Sequence, residues 1–431
     1  MNIHKEKKIN LSEMKVALTK TSVRVLPIVM ISMSRWDGDF SSAAYSLAKS
    51  FAKNNPVIYV DYPYTWLDLL RERTLPSVKK RLKALVFGKE ALKNIPGQSQ
   101  NLFFLTPPAM LPINFLPEGN LFHFFQKINN RILFKSIQRA LNSLGAKDFL
   151  FFNSFNPLYG QKLPKELSNN LMVYQSRDSI RALEPYLQKH GVRLEIEAIK
   201  HADLSLATSS TLTNILESAT GNKVVHFANA ADINNFRTAL EADLPKPVEL
   251  NDISGPIIGY TGNICQRVDY DLLKQICDEN PDKSVVLVGP RNHWNHTNID
   301  LDAIPNLYFC GAQPLERLPN FLKYFDIGII PFKKNDLTAS IYPLKINEYL
   351  AAGLPVVSTN FSRDIAGFSD HIWLVNDNSE FTDNIENALL HRNDEEKLKR
   401  LNIAEKNSWD GRVDWFWELL EATEKCKALY L

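Results

Sequence analysis

Residues 336–361 read Asp-Leu-Thr-Ala-Ser-Ile-Tyr-Pro-Leu-Lys-Ile-Asn-Glu-Tyr-Leu-Ala-Ala-Gly-Leu-Pro-Val-Val-Ser-Thr-Asn-Phe. Because proline fixes φ and lacks an amide proton, a helix is predicted to begin at or beside Pro343. Gly353 is placed to end that helix in the left-handed conformation. The apolar run at 354–357 then predicts a strand buried on both faces. A loop, a short helix and a buried strand in this order are typical of α/β proteins.

Two charged residues near the start of this predicted helix point to a ligand. Lys345 and Glu348 stand three residues apart, and therefore lie on one side of the helix. A cation beside helix N-terminal amides suits a phosphate, and a carboxylate one turn further can accept hydrogen bonds from vicinal hydroxyls. Together the two residues predict a site for a nucleotide diphosphate and its ribose.

The same stretch resembles the nucleotide-sugar site of GT-B glycosyltransferases, particularly the GT4-like group and bacterial polysaccharide transferases. That family carries two glutamates separated by seven residues, followed by Ala-x-Gly-x-Pro-Val. Glu348 matches the second glutamate, which the resemblance implies holds the ribose, whereas Ser340 stands where the first is found. Tyr342, Pro343 and Lys345 look like a variant in which the lysine reaches the donor phosphates, and all three are predicted to bind substrate. The missing glutamate leaves retention and inversion both open.

The second half of the chain supports this resemblance through the order and spacing of its segments. Strands are predicted at 256–260, 284–288, 307–309, 327–331 and 355–358. Gly262 follows the first strand, so its backbone could approach a diphosphate closely, although an ordinary strand-to-helix turn is an equal alternative. The resemblance implies that Arg267 is a basic residue beside the donor phosphates. It also implies that Gly289 lies near the nucleotide base.

The first half alternates strands and helices in the same way, with strands predicted at 27–33, 56–60, 149–152, 171–174 and 204–207. Such alternation predicts parallel pairing. We therefore predict an α/β GT-B fold of two Rossmann-like, doubly wound domains that face a central cleft. The predicted domains are 22–245 on the acceptor side, 246–407 for the nucleotide sugar, and 408–431 as a C-terminal helix that crosses back to the first domain.

Two residues are candidates for catalysis. Residues 171–178 resemble the family segment in which a strand delivers an aspartate into the cleft, so Asp178 could take the proton from an acceptor hydroxyl, as an inverting transferase requires. A helix N-cap, or a turn linked to Arg177, is a nearly equal alternative for this aspartate. Lys345 is the second candidate, because a cation beside the departing diphosphate stabilises its developing charge.

The loop after the first predicted strand reads Arg35-Trp-Asp-Gly-Asp39. The resemblance implies that it faces the acceptor and the donor phosphates. Asp37 and Gly38 are therefore candidates for acceptor binding, and Asp37 is a second candidate for the base. Asp39 is predicted to cap the following helix.

No cofactor or metal is predicted beyond the co-substrate, a nucleotide sugar linked to UDP or GDP. His293 and His296 flank a tryptophan in a polar loop and lack a third ligand nearby. The four cysteines show no C-x-x-C spacing, so reduced thiols are expected.

Composition excludes several other functions. The chain has 431 residues, 45% of them hydrophobic, and a net charge of +2, which argues against a nucleic-acid binder that relies on bulk charge. It contains neither G-x-G-x-x-G nor a Walker sequence, which argues against a dehydrogenase or an ATPase. Neither a signal peptide nor a transmembrane helix is predicted, so we expect a cytoplasmic protein.

Residues 71–93 form a basic segment with an apolar side. The segment contains eight lysines and arginines but only two glutamates, and the apolar residues Leu82, Leu85, Val86 and Phe87 lie between the charged ones. Such a segment could lie on an anionic membrane, at the inner face of the cell membrane where lipid-linked acceptors reside. A solvated helix or loop is an equally weighted alternative.

The sequence thus predicts a metal-independent hexosyltransferase acting on a saccharide or lipid-linked acceptor, in cell-surface polysaccharide synthesis. Two alternatives remain. A nucleotide-sugar 2-epimerase shares the fold and would convert a donor without an acceptor. A non-catalytic, carbohydrate-binding GT-B scaffold would bind nucleotide without turnover, and the serine at 340 gives that alternative some weight.

Overall fold

The computed structural model of the protein describes residues 22–37, 42–94, 97–182, 185–291 and 297–430. Within them the strands form two separate sheets, one from each half of the chain. This arrangement, with helices between consecutive parallel strands, confirms the predicted α/β class.

The first sheet contains eight strands in the described residues. They are β1 Ile28–Ser32, β2 Val57–Val60, β3 Leu92–Asn94, β4 Leu102–Leu105, β5 Leu150–Ser154, β6 Leu171–Ser176, β7 Leu204–Ala207 and β8 Val225–His226. Their spatial order is β3-β4-β2-β1-β5-β6-β7-β8, and every neighbouring pair is parallel except β3 with β4.

Eight helices occur in the first half of the chain among the described residues, and the last of them packs against the core of the second half. They are α1 Ala43–Phe51, α2 Trp66–Arg71, α3 Pro76–Lys79, α4 Leu82–Phe87, α5 Asn120–Ser143, α6 Pro185–His201, α7 Ser210–Thr220 and α8 Ile233–Arg237. Both faces of the sheet are covered, as β1 shows. Ile28 and Met30 enter the core cluster that contains α1 residues, whereas Val29 and Ile31 enter the cluster that contains α5 residues. Burial on both faces explains why these strands are continuous apolar runs.

The second sheet contains six parallel strands in the described residues. They are β9 Ile257–Thr261, β10 Ser284–Val288, β11 Leu307–Phe309, β12 Ile327–Ile330, β13 Val356–Thr359 and β14 Trp373–Val375. Their order is β11-β10-β9-β12-β13-β14. The helices of this half are α9 Tyr270–Glu279, α10 Leu318–Tyr324, α11 Asp336–Ala339, α12 Leu344–Ala351, α13 Arg363–Ala366, α14 Phe381–Leu390 and α15 Asp394–Glu405.

The stretch that opens the sequence analysis folds as predicted. Helix α12 begins directly after Pro343, and Gly353 follows its end with φ of +75°. The amide of Leu354 donates to the Tyr349 carbonyl at 3.0 Å, which is the long bond of a Schellman turn. The chain then enters β13, all four residues of which are buried.

The last helices return to the first half of the chain, which confirms the predicted crossing. They are α16 Trp409–Glu421 and α17 Glu424–Tyr430. Phe416 packs edge-on against Phe51 of α1, with ring centroids 5.1 Å apart. The Ser50 hydroxyl donates to Asp410 at 2.6 Å. Helix α16 therefore packs against the first half of the chain, although it follows the second sheet in the sequence. The domain boundaries at 245 and 407 stay predictions.

Each of the ten predicted strands is present with its ends within two residues of the prediction. Strands β3, β4, β8 and β14 were not predicted; β3, β8 and β14 have only two or three residues, too few for a clear pattern. The basic segment 71–93 contains parts of three short helices and a strand rather than one amphipathic element. Among the described residues, no helix is long and apolar enough to cross a membrane.

Candidate active site

Two glycines at the carboxyl edge of the second sheet bring two loops and the start of α12 together. Gly262, after β9, donates its amide to the Val288 carbonyl at 2.8 Å. A β-carbon on Gly289 would overlap the Gly262 carbonyl, and one on Gly262 would overlap the end of the Lys345 side chain. Gly262 has φ of +126°, a backbone conformation that favours glycine. The lysine therefore lies directly over the backbone of the loop, as close as the absence of a side chain allows.

The Lys345 ammonium lies beside two aromatic rings. It is 5.3 Å from the centroid of the Tyr260 ring and 5.8 Å from that of Phe332. Within the described part of the chain it has neither an ion pair nor a hydrogen bond. Burial lowers the pKa of Lys345 below its ordinary value, the nearby charge of Arg267 lowers it further, and Glu348 opposes both. An anion bound here would relieve this unfavourable burial.

Glu348 completes the group, one turn along α12. Burial raises the pKa of its carboxyl above the ordinary value, and Lys345 opposes that shift. Like the lysine, it keeps partial contact with solvent and has no hydrogen-bond donor among the described residues. We call Arg267, Lys345 and Glu348 the donor-site cluster. Charged side chains that lie close together, with pKa values shifted by burial as in Lys345 and Glu348, are typical of a functional site.

Tyr342 and Pro343 lie just before α12, the helix that carries Lys345 and Glu348. The Asn347 side-chain amide donates to the Tyr342 hydroxyl at 3.0 Å, and burial raises the pKa of that hydroxyl to about 12. Pro343 is the residue before the first turn of α12, as predicted. Leu344 packs against the core cluster of the first sheet, so the start of α12 lies where the two halves meet. Substrate binding by Tyr342 and Pro343 stays a prediction.

Ser340, which replaces a glutamate of the family motif, links the two halves. Its carbonyl accepts a hydrogen bond from the Ser209 hydroxyl at 2.7 Å, and its own hydroxyl donates to Leu337 at 2.9 Å. A second link lies beside it, where Asp364 accepts from the Ser210 amide at 3.2 Å and lies 3.1 Å from the His226 ring. Sequence reasoning did not find these contacts, because the residues that form them are far apart along the chain.

Asp178 lies two residues beyond β6, at the carboxyl edge of the first sheet. Beside it, the Arg177 guanidinium donates to Ser154 and Gln175 at 2.9 Å each, and more weakly to Asn229 at 3.4 Å. Burial lowers the pKa of Arg177 to about 10, against the opposing charge of Asp178. The edge therefore carries an acidic and a basic group side by side, and the role of Asp178 as a base stays a prediction.

Asp37 is held in an ion-pair network that the sequence did not reveal. Arg81 donates to it at 2.7 Å, Lys80 pairs with it as well, and Arg81 also pairs with the fully buried Asp61. Burial alone would raise the pKa of Asp37, but the hydrogen bonds from Arg81 and Lys80 lower it below its ordinary value. A paired carboxylate with a low pKa is a poor base. Gly38 and Asp39 lie outside the described residues.

The described residues contain no group of three or more histidine, cysteine, aspartate or glutamate side chains that could hold a metal ion. His293 and His296 lie outside them.

Two facing α/β domains, with a charged cluster where they meet, define the class as the GT-B fold. Residues 255–391, which contain the whole donor-site cluster, match the family model described as "Glycosyl transferases group 1". The predicted resemblance to glycosyltransferases is thereby confirmed for this part of the chain.

Relatives and solved structures agree with this class. A putative teichuronic acid biosynthesis glycosyltransferase of Bacillus subtilis is 27% identical over 228 residues, which span 50% of this chain and 56% of that protein. Sucrose-phosphate synthase from Thermosynechococcus elongatus has a TM-score of 0.60 at 13% identity, over 91% of this chain and 98% of its own. Anabaena HepE in complex with UDP has a TM-score of 0.55 at 14% identity, over 92% and 100%. The two structures confirm the fold.

Proposed function

We propose that the chain is a glycosyltransferase that moves a sugar from a nucleotide-diphosphate donor to a saccharide or lipid-linked acceptor. The observation that carries the proposal is the donor-site cluster, in which Lys345 lies over the Gly262 backbone and forms no ion pair with any residue that the structure describes. The match of residues 255–391 to a glycosyltransferase family supports it. The similarity to a teichuronic acid glycosyltransferase supports a role in cell-surface polysaccharide synthesis.

In this proposal each residue of the cluster holds a part of the donor. Lys345 and Arg267 offset the charge of the diphosphate, most strongly as the bond to the sugar breaks and negative charge grows on the leaving group. Glu348 accepts hydrogen bonds from the ribose hydroxyls. Two protein cations are enough to neutralise the leaving group, so we propose a metal-independent hexosyltransferase that uses a UDP- or GDP-linked sugar. Gly289 lies near the base.

Asp178 is the proposed base on the opposite side of the cleft. In an inverting reaction the acceptor oxygen bonds to the anomeric carbon, the diphosphate leaves with the bonding electrons, and the hydroxyl proton passes to the carboxylate. We propose that the reaction takes place in the cytoplasm, at the inner face of the cell membrane when the acceptor is lipid-linked.

The test is turnover of a panel of UDP- and GDP-sugars with saccharide and lipid-linked acceptors, by wild-type protein, Asp178→Asn and Asp243→Asn. Asp243 is exposed and serves as the matched control. Loss of a base lowers turnover by roughly 100- to 10,000-fold, and nucleotide affinity stays unchanged because Asp178 does not touch the donor phosphates.

The alternatives give different results in the same assay. Nucleotide binding with no turnover of any donor would indicate the non-catalytic scaffold. Conversion of a UDP-sugar without an acceptor would indicate a 2-epimerase. Equal turnover by Asp178→Asn and the control would refute the role of Asp178 alone.

A further inference from the structure

The three short helices α2, α3 and α4 form one layer on the first domain. Each contributes one apolar side chain, Leu69, Val78 or Leu85, to a small core cluster that also contains Tyr64 and Ala109. The layer is therefore held together from its inner side, and the exposed side chains of residues 66–87 form its outer side. We call this outer side the docking face.

The docking face is enriched in exposed large apolar side chains compared with the rest of the described chain. Six of the sixteen exposed large hydrophobic residues in the described parts of the chain lie within it. Leu70 is 65% exposed and Phe87 is 70% exposed. The complete set is Trp66, Leu70, Leu75, Leu82, Val86 and Phe87. Spacing of four residues places Trp66 with Leu70, and Leu82 with Val86, on common faces of their helices. Exposed apolar side chains grouped in this way mark an interaction surface.

Exposed cations surround these side chains. Those without an ion pair among the described residues are Arg71, Arg73, Lys79 and Lys89. The nearest acids are already engaged, because Asp68 caps α2 and Glu72 pairs with Arg35 at 3.2 Å. The docking face therefore combines apolar side chains with a net positive charge.

The buried side of the layer is tied to the sheet edge where the acceptor is expected. Arg81, between α3 and α4, is 4% exposed and pairs with Asp61, directly after β2, and with Asp37, in the loop after β1. Because both aspartates lie at the carboxyl ends of parallel strands, the docking face has a fixed position beside that edge.

We propose that the docking face binds the surface of an anionic lipid bilayer. The apolar side chains enter the boundary between headgroups and acyl chains, and the cations contact lipid phosphates. Charge decides against a second copy of this chain, since a symmetric contact would bring like charges together. Binding to lipid requires neither nucleotide nor turnover, so this inference stands apart from the proposed transferase activity.

The test is co-sedimentation with vesicles of phosphatidylcholine, alone or mixed about three to one with phosphatidylglycerol. One variant removes apolar contacts, with Leu82→Ser, Val86→Ser and Phe87→Ser. Its matched control, Leu390→Ser with Leu398→Ser, changes side chains that are also exposed but lie on the second domain. A third variant, with Arg71→Gln, Arg73→Gln and Lys79→Gln, removes charge. All replaced side chains are exposed, and melting temperatures report whether the variants fold.

Wild-type protein and the control are expected to bind the anionic vesicles, and to bind less at high salt. The charge variant is expected to bind roughly 100-fold more weakly, at about fivefold for each cation. The apolar variant should lose binding at low salt as well. Wild-type protein that binds neither vesicle would overturn the proposal. So would an apolar variant that binds as the control does, or sedimentation showing that the docking face instead mediates self-association.

Discussion

Replacing Lys345 by methionine is expected to weaken nucleotide binding strongly while leaving the protein folded. Methionine keeps an unbranched apolar stem against Tyr260 and Phe332 but removes the ammonium that lies over Gly262. Hydrogen bonds to charged groups contribute about 1.5–3 kcal/mol, so the affinity for the nucleotide diphosphate should fall roughly 10- to 150-fold. Calorimetric titration measures this change directly.

The lysine also gives the binding a characteristic pH dependence. Burial lowers the pKa of Lys345 in the free protein, whereas a bound diphosphate favours the charged form. Nucleotide affinity should therefore fall as the pH rises through this lowered pKa, earlier than for an exposed lysine. Because the folded state disfavours the charge, the contribution of Lys345 to stability rises with pH over the same range, and the methionine variant should be no less stable than wild type.

Lys274→Met is the matched control, because Lys274 is an exposed cation on α9 that pairs only with Asp278 among the described residues. Both variants remove one positive charge, so a non-specific electrostatic effect would appear in both. Equal nucleotide affinity for Lys345→Met and wild type would refute the assignment of the diphosphate to this lysine.

Three further variants test the surrounding structure. Gly262→Ala should reduce nucleotide affinity roughly tenfold by calorimetry, because the strained backbone and the added methyl group displace the lysine above it. Glu195→Gln should remove a pH dependence of the free energy of unfolding. Burial raises the pKa of the Glu195 carboxyl from 4.5 to about 7. The contribution of this carboxyl to stability is therefore complete below pH 4.5 and is lost as the pH rises through 7. The free energy of unfolding of wild type should fall by up to about 3 kcal/mol over that range, measured by chemical denaturation. Arg81→Met should lower the free energy of unfolding by about 3–5 kcal/mol in the same assay, because it leaves Asp61 buried without its cation.

Each of these three predictions has a control variant or a result that would contradict it. Gly221 has φ of +70° with open space around it, so Gly221→Ala carries the same kind of strain without displacing a site residue; an equal loss of affinity would contradict the steric argument. A pH dependence that persists in Glu195→Gln would assign it to another group. Arg73→Met removes an exposed cation, and Arg81→Met should be clearly less stable than this variant.

Local signals predicted the helix and strand that carry the candidate site. Pro343 excludes the preceding chain from the helix, Gly353 takes up the left-handed conformation after it, and the apolar run that follows has no polar face. Each of these depends on residues a few positions apart, so the sequence alone was sufficient. The placement of Lys345 beside Arg267 came instead from the resemblance to a family, since no local pattern relates positions so far apart.

Contacts over long distances in the chain explain what the sequence did not reveal. The family resemblance predicts acceptor binding by Asp37, whereas its pairing with Arg81, 44 positions away, was not predicted. The Ser209–Ser340 hydrogen bond spans 131 positions and depends on how the two domains meet. Such partners are set by tertiary packing, which residue type and spacing do not specify.

The most direct test of the proposed function is calorimetric titration of UDP and of GDP into the wild-type protein, followed by donor hydrolysis with sugars of whichever nucleotide binds. The donor-site cluster predicts that one nucleotide binds to a single site and that one of its sugar conjugates is hydrolysed. Folded protein that binds neither nucleotide would contradict the claim that Arg267, Lys345 and Glu348 hold a nucleotide-sugar donor.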